Sequence, residues 1–361
     1  MPFLLVVLEQ IEQRKLPGEF AFLPYIESNY TALASSGDRS AGIWQLMPDT
    51  AREAGLHITR EYDGRLDIYA STTAALDLLE RYNEQFGDWR LADMAFNAGE
   101  YRIKDLRGGN TEAPTAAELT RLRVHAHTHE HLAKLLAASC IVADPERFHV
   151  ELPDPQAGDE LAALDLPAPV DLALIAHVAG IDRAALKHLN PGYLRDHMPE
   201  DGPYRLLLPA AQRDAVATTL DKVPRPLWRE WHAIALQHEE RVDVLASTYG
   251  LAAPALAAAN TLDADATLPA GARLLVPGHA DKGYIGASIA KVEDVVEKSS
   301  THIVRAGDTL WSIARGARVH LADLLRWNGL RADATLHLGQ HLRLATQETA
   351  GSSATGVAAP N

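Results

Sequence analysis

Among 361 residues there is one cysteine, Cys140, which excludes an internal disulfide and any cysteine-based zinc site. Its apolar setting, LLAASCIVA, predicts a buried place on a helix. No apolar run is long enough to span a bilayer. Basic residues are also scarce: 34 Lys and Arg stand against 48 Asp and Glu, for a formal net charge of -14. Without a basic stripe to neutralise phosphates, no nucleic-acid partner is expected, and a bound polymer would be gripped by hydrogen bonds and stacking. The first residues, MPFLLVVLEQ, lack the basic start, long apolar centre and small-residue cleavage site of a signal peptide. Leu4, Val7, Leu8 and Ile11 fall on one helical face instead, so residue 1 reads as the start of folded protein, with no leader.

The chain is long enough for two or three domains. Residues 1–150 read as helices, with apolar-periodic segments separated by Gly, Pro and Asp signals. Near residue 152 the texture turns Pro-rich in ELPDPQAGDELAALDLPAP, a domain boundary. Beyond it three segments align without a gap: IAHVAGIDRAALKHLN from Ile175, LASTYGLAAPALAAAN from Leu245 and IARGARVHLADLLRWN from Ile313. Each carries Ile181, Leu251 or Val319 at its seventh place and Leu186, Leu256 or Leu324 at its twelfth, and ends in Asn190, Asn260 or Asn328. A short apolar strand follows each Asn: YRLLLP, ARLLVP and QHLRLA. With HIV as an opening strand in the last copy, the unit is strand, helix, helix, strand.

This unit resembles the LysM domain, which implies binding of N-acetylglucosamine-containing glycans such as peptidoglycan. The resemblance is fullest in THIVRAGDTLWSIA and GQHLRL of the last copy. It is weaker in the second, where QHEERVDVLA replaces the Gly-Asp-Thr-Leu turn, and in the first a degenerate spacer is as good a reading. The expected organisation is a helical domain at 1–150, a linker with a degenerate module at 151–222, a module at 230–278, a linker at 279–300, a module at 301–345 and a disordered tail at 346–361.

In the helical part, LPYIESNY ends an apolar run in a lone carboxylate, Glu27. A general acid must be partly protonated near neutral pH, which requires shelter from water. Leu23, Pro24 and Ile26 supply apolar neighbours, and Pro24 should kink the chain just before Glu27. Downstream, SAGIWQLMPDTA supplies Gly42 for close backbone approach to a ligand, Trp44 as a face for a sugar or for the core, and Gln45 as donor and acceptor. DMAFNAGEYRI then places Phe96 and Asn97 at a helix end broken by Gly99. Glu, Gln and Asn beside aromatics suit a carbohydrate cleft.

The order Glu-Ser, GIWQ, AFNAG resembles the catalytic domain of the soluble lytic transglycosylases, related in fold to goose-type lysozyme; with trailing LysM modules, the chain is similar to the membrane-bound D type. The resemblance implies an α+β multidomain protein: a mainly helical lysozyme-like domain followed by βααβ modules. It implies a peptidoglycan lytic transglycosylase of the periplasm or cell envelope, working without cofactor or metal and membrane-associated only through a leader. By the same resemblance Glu27 would protonate the glycosidic oxygen between N-acetylmuramic acid and N-acetylglucosamine, then accept the proton of the C6 hydroxyl that closes a 1,6-anhydro ring. Ser28 would orient Glu27, Gln45 and Asn97 would bind sugar or stabilise the transition state, and Trp44, Met47 and Phe96 would line the cleft. Three positions depart from the family: Phe96 stands where Tyr is usual, Arg39 where Gly is common, and His131 in the place of a Tyr.

Helical spacing pairs His125 with His129 and His127 with His131 as metal ligands, against which a solvated helix face is the preferred reading. Two rivals to the transglycosylase remain: a muramidase that uses Asp38 as a second carboxylate, and a non-catalytic wall-binding protein whose LysM modules do the work.

Overall fold

The computed structural model describes residues 2–34, 40–110, 112–152 and 160–278, and between 301 and 344 the segments 301–304, 310, 313–314, 321–331, 334 and 340–344. Asp38, Arg39, the expected linker at 279–300 and the expected tail lie outside them. Two compact units are formed, 1–290 and 291–361.

Among the described residues the first unit begins with eight α-helices: α1 (Pro2–Arg14), α2 (Leu23–Ser28), α3 (Pro48–Glu53), α4 (Ile68–Phe86), α5 (Trp89–Ala98), α6 (Glu100–Arg107), α7 (Ala116–Arg121) and α8 (Ala126–Ala143). α4 is the axis of this part. Asp67 caps its first turn by accepting from the Ala70 amide at 2.8 Å, and Gly87, at φ 68°, ends it left-handed. Its inward stripe, with Ala75, Leu76, Leu79 and Phe86, joins Leu91, Ala92 and Met94 of α5 in one core. Full burial of each such Leu is worth about 1.5–3 kcal/mol.

α1 forms as expected, but its buried face is Phe3, Val6, Val7, Gln10 and Ile11, while Leu8 is exposed. The face is turned because Gln10 is drawn inward: its amide donates to the Tyr69 carbonyl at 3.2 Å and its Oε1 accepts from Thr73 at 2.9 Å. Pro24 does not kink a helix; it sits in the first turn of α2, where its missing N–H costs nothing, after a 3-10 turn at Gly18–Phe22. Cys140 is exposed, contrary to expectation. The buried face of α8 is Thr128, His131, Leu132 and Leu135, all in its first ten residues, so the second half of the apolar run faces outward.

Two strand, helix, helix, strand modules follow, and then the described parts of a third. In the first, β1 (Leu161–Asp165) pairs antiparallel with β2 (Arg205–Pro209) around α9 (Leu172–Ala179) and α10 (Arg183–Leu189), and α11 (Ala210–Leu220) packs behind. In the second, β3 (Trp231–Ala235) pairs with β6 (Arg273–Pro277) around α12 (Val242–Thr248) and α13 (Ala253–Ala259), with a small pair β4 (Glu240–Arg241) and β5 (Thr267–Leu268) between. In the second unit, β7 (Thr301–Ile303) pairs with β8 (His341–Arg343) beside the helix Leu321–Asn328.

The repeated Asn explains why the copies align. Asn190 Oδ1 accepts from the Leu207 amide at 2.7 Å, and its Nδ2 donates to the Leu207 carbonyl at 2.8 Å and to the Leu186 carbonyl at 3.0 Å. The carboxamide thereby imitates a neighbouring strand for one residue while tying down the helix end. Asn260 does the same with Leu275 and Leu256, and Asn328 with Arg343 and Leu324.

The first copy is thus a complete module, and it is docked on the helical part. The Asp63 amide donates to the Gly192 carbonyl and the Leu194 amide to the Glu61 carbonyl, each at 2.9 Å. The Tyr62 and Tyr193 rings pack tilted at 52° with centroids 5.4 Å apart, and the Arg205 guanidinium lies 4.4 Å over the Tyr69 ring. Gly192 is required there, since a Cβ would come within 2.9 Å of the Asp67 Cβ. The first two modules share a core in turn, and the Asp171 carboxylate, which caps α9, also accepts from the Trp231 amide.

Candidate active site

Glu27 lies on the last turn of α2, a helix stopped by Asn29 in the left-handed conformation at φ 53°. Its side chain is 18% exposed at a cleft of about 290 Å³. Gln45, Met47, Phe96 and Asn97 line the same cleft, so the structure brings together five of the seven residues singled out from sequence. Ser40, Leu46, Thr50, Leu78 and Tyr82 complete the lining.

The loop carrying Gln45 is built with little freedom. Gly42 has φ +80°, and a Cβ there would fall 1.8 Å from the Arg65 carbonyl oxygen. Its close approach is to the protein's own backbone, in place of the ligand expected from sequence. Gln45 itself adopts φ 46°, uncommon for a side-chain-bearing residue. Its Nε2 donates to the Gly42 carbonyl at 2.8 Å and its Oε1 accepts from the Ser40 hydroxyl at 2.8 Å. A bridge between Ala41 and Leu46 closes the loop.

Ser28 and Trp44 are not among the cleft-lining residues. The Ser28 hydroxyl lies 2.9 Å from the Ile43 carbonyl and 3.0 Å from the Pro24 carbonyl, so it ties the helix of Glu27 to the loop of Gln45 through backbone oxygens. Trp44 corrects the sequence reading of a sugar-binding face: it is fully buried, and its indole N–H donates to Thr72 Oγ1 at 3.0 Å. Its edge-to-face contact with Phe96, at 6.1 Å between centroids, supports that ring from behind. A sugar cannot reach it.

The histidine run is the larger correction. His131 is 1% exposed instead of solvated, because it occupies the inward stripe of α8 with Thr128, Leu132 and Leu135. Its Nε2 lies 3.0 Å from Glu27 Oε1, and its Nδ1 lies 3.1 Å from Asp93 Oδ1 and 3.3 Å from Asp93 Oδ2. Asp93, on α5, is fully buried. The metal pairings do not form: His131 is turned inward while His127 is exposed, and His129 is held to the Leu122 carbonyl at 3.1 Å.

Burial alone would lower the affinity of His131 for a proton, but hydrogen bonds to Asp93 and Glu27 and the charge of both carboxylates outweigh it and push the imidazole up to about 9. Burial raises Asp93, partly offset by His131. The ring is an imidazolium flanked by two carboxyl groups, with Asp93 hydrogen-bonded to its Nδ1. Asp93 is not named from sequence, and His131 is named only in a disfavoured metal pair and as a departure from the family pattern. The available signals were a carboxylate on the apolar side of LADMAF and a histidine at the 3 and 4 spacing of buried positions.

Comparison with known proteins agrees with this architecture. Residues 9–118 match the transglycosylase SLT domain, 160–225 the LysM-like domain of lytic transglycosylase MltD, and 243–277 and 302–345 the LysM domain. The chain is 32% identical over 356 residues to the membrane-bound lytic murein transglycosylase D of Escherichia coli (strain K12), covering 95% of this chain and 76% of that protein. The same figures hold for its counterpart in Escherichia coli O6:H1 (strain CFT073). A solved structure, the Bacillus cereus spore cortex-lytic enzyme SleL, is 25% identical over 32% of this chain and 22% of its own, with a TM-score of 0.13, too low to bear on the fold. Identity across nearly the whole chain, with the domains in this order, places the protein in the membrane-bound lytic murein transglycosylase D family, as a peptidoglycan lytic transglycosylase.

Proposed function

We propose that the enzyme cleaves the β-1,4 bond between N-acetylmuramic acid and N-acetylglucosamine and leaves a 1,6-anhydro end, with Glu27 as both acid and base. The observation that carries this is the cleft itself: Glu27 is the one carboxylate among its described lining residues, beside the amides of Gln45 and Asn97. A glycosidase that activates water or forms a glycosyl intermediate needs a second carboxyl group about 5–9.5 Å away at the cleft. The nearby Asp93 is sealed behind His131 and cannot meet a substrate.

The steps balance within the substrate. Glu27 gives its proton to the glycosidic oxygen as that oxygen leaves C1. The carboxylate then removes the C6 hydroxyl proton while the C6 oxygen bonds to C1, which restores the acid and consumes no water. Gln45 and Asn97 bind the sugar, Met47 and Phe96 form the wall, and Ser28 positions Glu27 by anchoring α2 to the Gln45 loop. The LysM and transglycosylase domains imply peptidoglycan as the ligand, and the E. coli relatives named for murein favour the cell envelope. The domain limits that accompany this reading are 1–150 for catalysis, 151–222 and 230–278 for the first two modules, and 301–345 for the third.

The test is mass spectrometry of soluble products from purified sacculi. Muropeptides one water lighter than their reducing counterparts, formed by the wild type and at least ~100-fold slower by Glu27→Gln, are expected. Reducing ends would replace this reading with a hydrolase and direct attention to Asp38.

A further inference from the structure

A buried acid pointing at a buried histidine that in turn holds a cleft carboxyl is more than packing requires. An apolar trio would fill the same space without the cost of removing charges from water. Asp93 has His131 as its hydrogen-bonding partner among the described residues, and both ring nitrogens of His131 are engaged by carboxyl oxygens. The ring is therefore locked in plane.

We propose that Asp93 and His131 are a positioning couple for Glu27: Asp93 orients the imidazole, and Nε2–H donates to Glu27 Oε1, which leaves Oε2 to carry the transferred proton and meet the glycosidic oxygen. This rests on the reading of Glu27 as the acid and base. The proton counts are unchanged by the couple. Nδ1–H faces Asp93 and Nε2–H faces Oε1 throughout. Oε2 gives its own proton to the glycosidic oxygen and later takes the C6 hydroxyl proton, which restores the starting state. Between those two transfers the Nε2–H hydrogen bond stabilises the carboxylate.

The groups that act on His131 come from two packed elements, Glu27 from α2 and Asp93 from α5. On the remaining surroundings, Glu19 of the 3-10 turn is partly exposed, Arg90 of α5 is paired with Asp88, and Glu130 and Lys134 of α8 are exposed. The imidazole, pushed up to about 9, keeps its Nε2–H in place well into the alkaline range.

The experiment is the pH profile of kcat/KM, on soluble peptidoglycan fragments, for the full chain as wild type, His131→Gln and Asp93→Asn, with thermal melts of each. Gln at 131 retains an amide donor for Glu27 Oε1 but carries no charge to stabilise the carboxylate. Its alkaline limb is expected to move up by about one pH unit, and Asp93→Asn is expected to move it in the same direction by less. A profile parallel to the wild type, or a loss equal at every pH, would overturn the couple. If either variant fails to fold, the 15N shifts of His131 in the wild type decide: a doubly protonated ring at pH 7.5 is expected, and a neutral ring overturns the proposal. Full activity of Glu27→Gln in the same assay would instead sink the assignment of Glu27, a separate outcome.

Discussion

The asparagine of each module and the Asp93–His131–Glu27 chain are both buried polar constructions, but one is stamped three times and the other is made once. Asn190, Asn260 and Asn328 reach partners 17, 15 and 15 residues away, inside a unit small enough to recur whole. His131 reaches Asp93 across 38 residues and Glu27 across 104. The module is closed by a neutral amide whose two donors and one acceptor are all used, a solution that holds at any pH. The helical domain instead buries charge, which is stabilising only while all partners remain and which responds to protons. One construction fits a repeated scaffold and the other a site that must move a proton.

Breaking the charged construction should have the largest effect. His131→Leu leaves Asp93 buried without a partner and should lower the unfolding free energy in urea by about 3 kcal/mol. The double variant with Asp93→Leu should recover most of it, whereas failure to recover would mean that His131 is needed as shape and not as a counter-charge. Next, Asn260→Ala strips partners from the Leu275 amide and carbonyl and should cost about 2–3 kcal/mol by the same measurement. Asn328→Ala, at a partly exposed copy, should cost less, about 1 kcal/mol. Equal costs would show that exposure does not distinguish the copies.

The proton dependence sharpens the contrast further. The folded imidazole sits at about 9, above its unfolded value near about 6.5. Its stabilisation is therefore complete below about pH 6.5 and is lost as pH rises through about 9. Buried Asp93, raised as well, works in the same direction. The melting temperature of the wild type should fall by roughly 3 °C across that window, and His131→Leu should lack this fall. Smallest of all, Cys140→Ser on the exposed side of α8 should change stability by less than about 0.5 kcal/mol. A larger cost would reveal a contact on that face.

Much of the fold was legible because its signals are local or repeated. Apolar periodicity marks the helices, and the aligned Asn, Leu and aliphatic positions mark the modules. The cleft was legible in part: Glu27, Gln45, Met47, Phe96 and Asn97 are carried by short motifs whose backbone turns, at Gly42 and Gly99, are written in residue type. Trp44 was not: an indole beside a turn is by itself more often core, the family resemblance put it in the cleft, and its N–H is in fact given to Thr72, 28 residues on.

By itself the sequence determined the element types, the threefold repeat with its Asn, the acidic character and the carboxylate of the cleft, all of which depend on neighbours within a few turns or one module. Only the tertiary structure decided that the first module docks on the helical domain through Tyr62, Tyr193 and Gly192, that Trp44 and Cys140 exchange their expected environments, and that His131 faces inward to Glu27 and Asp93. Those outcomes turn on which face of each helix meets which partner, and residues far apart in the chain are brought within 3–4 Å only when α2, α5 and α8 pack together.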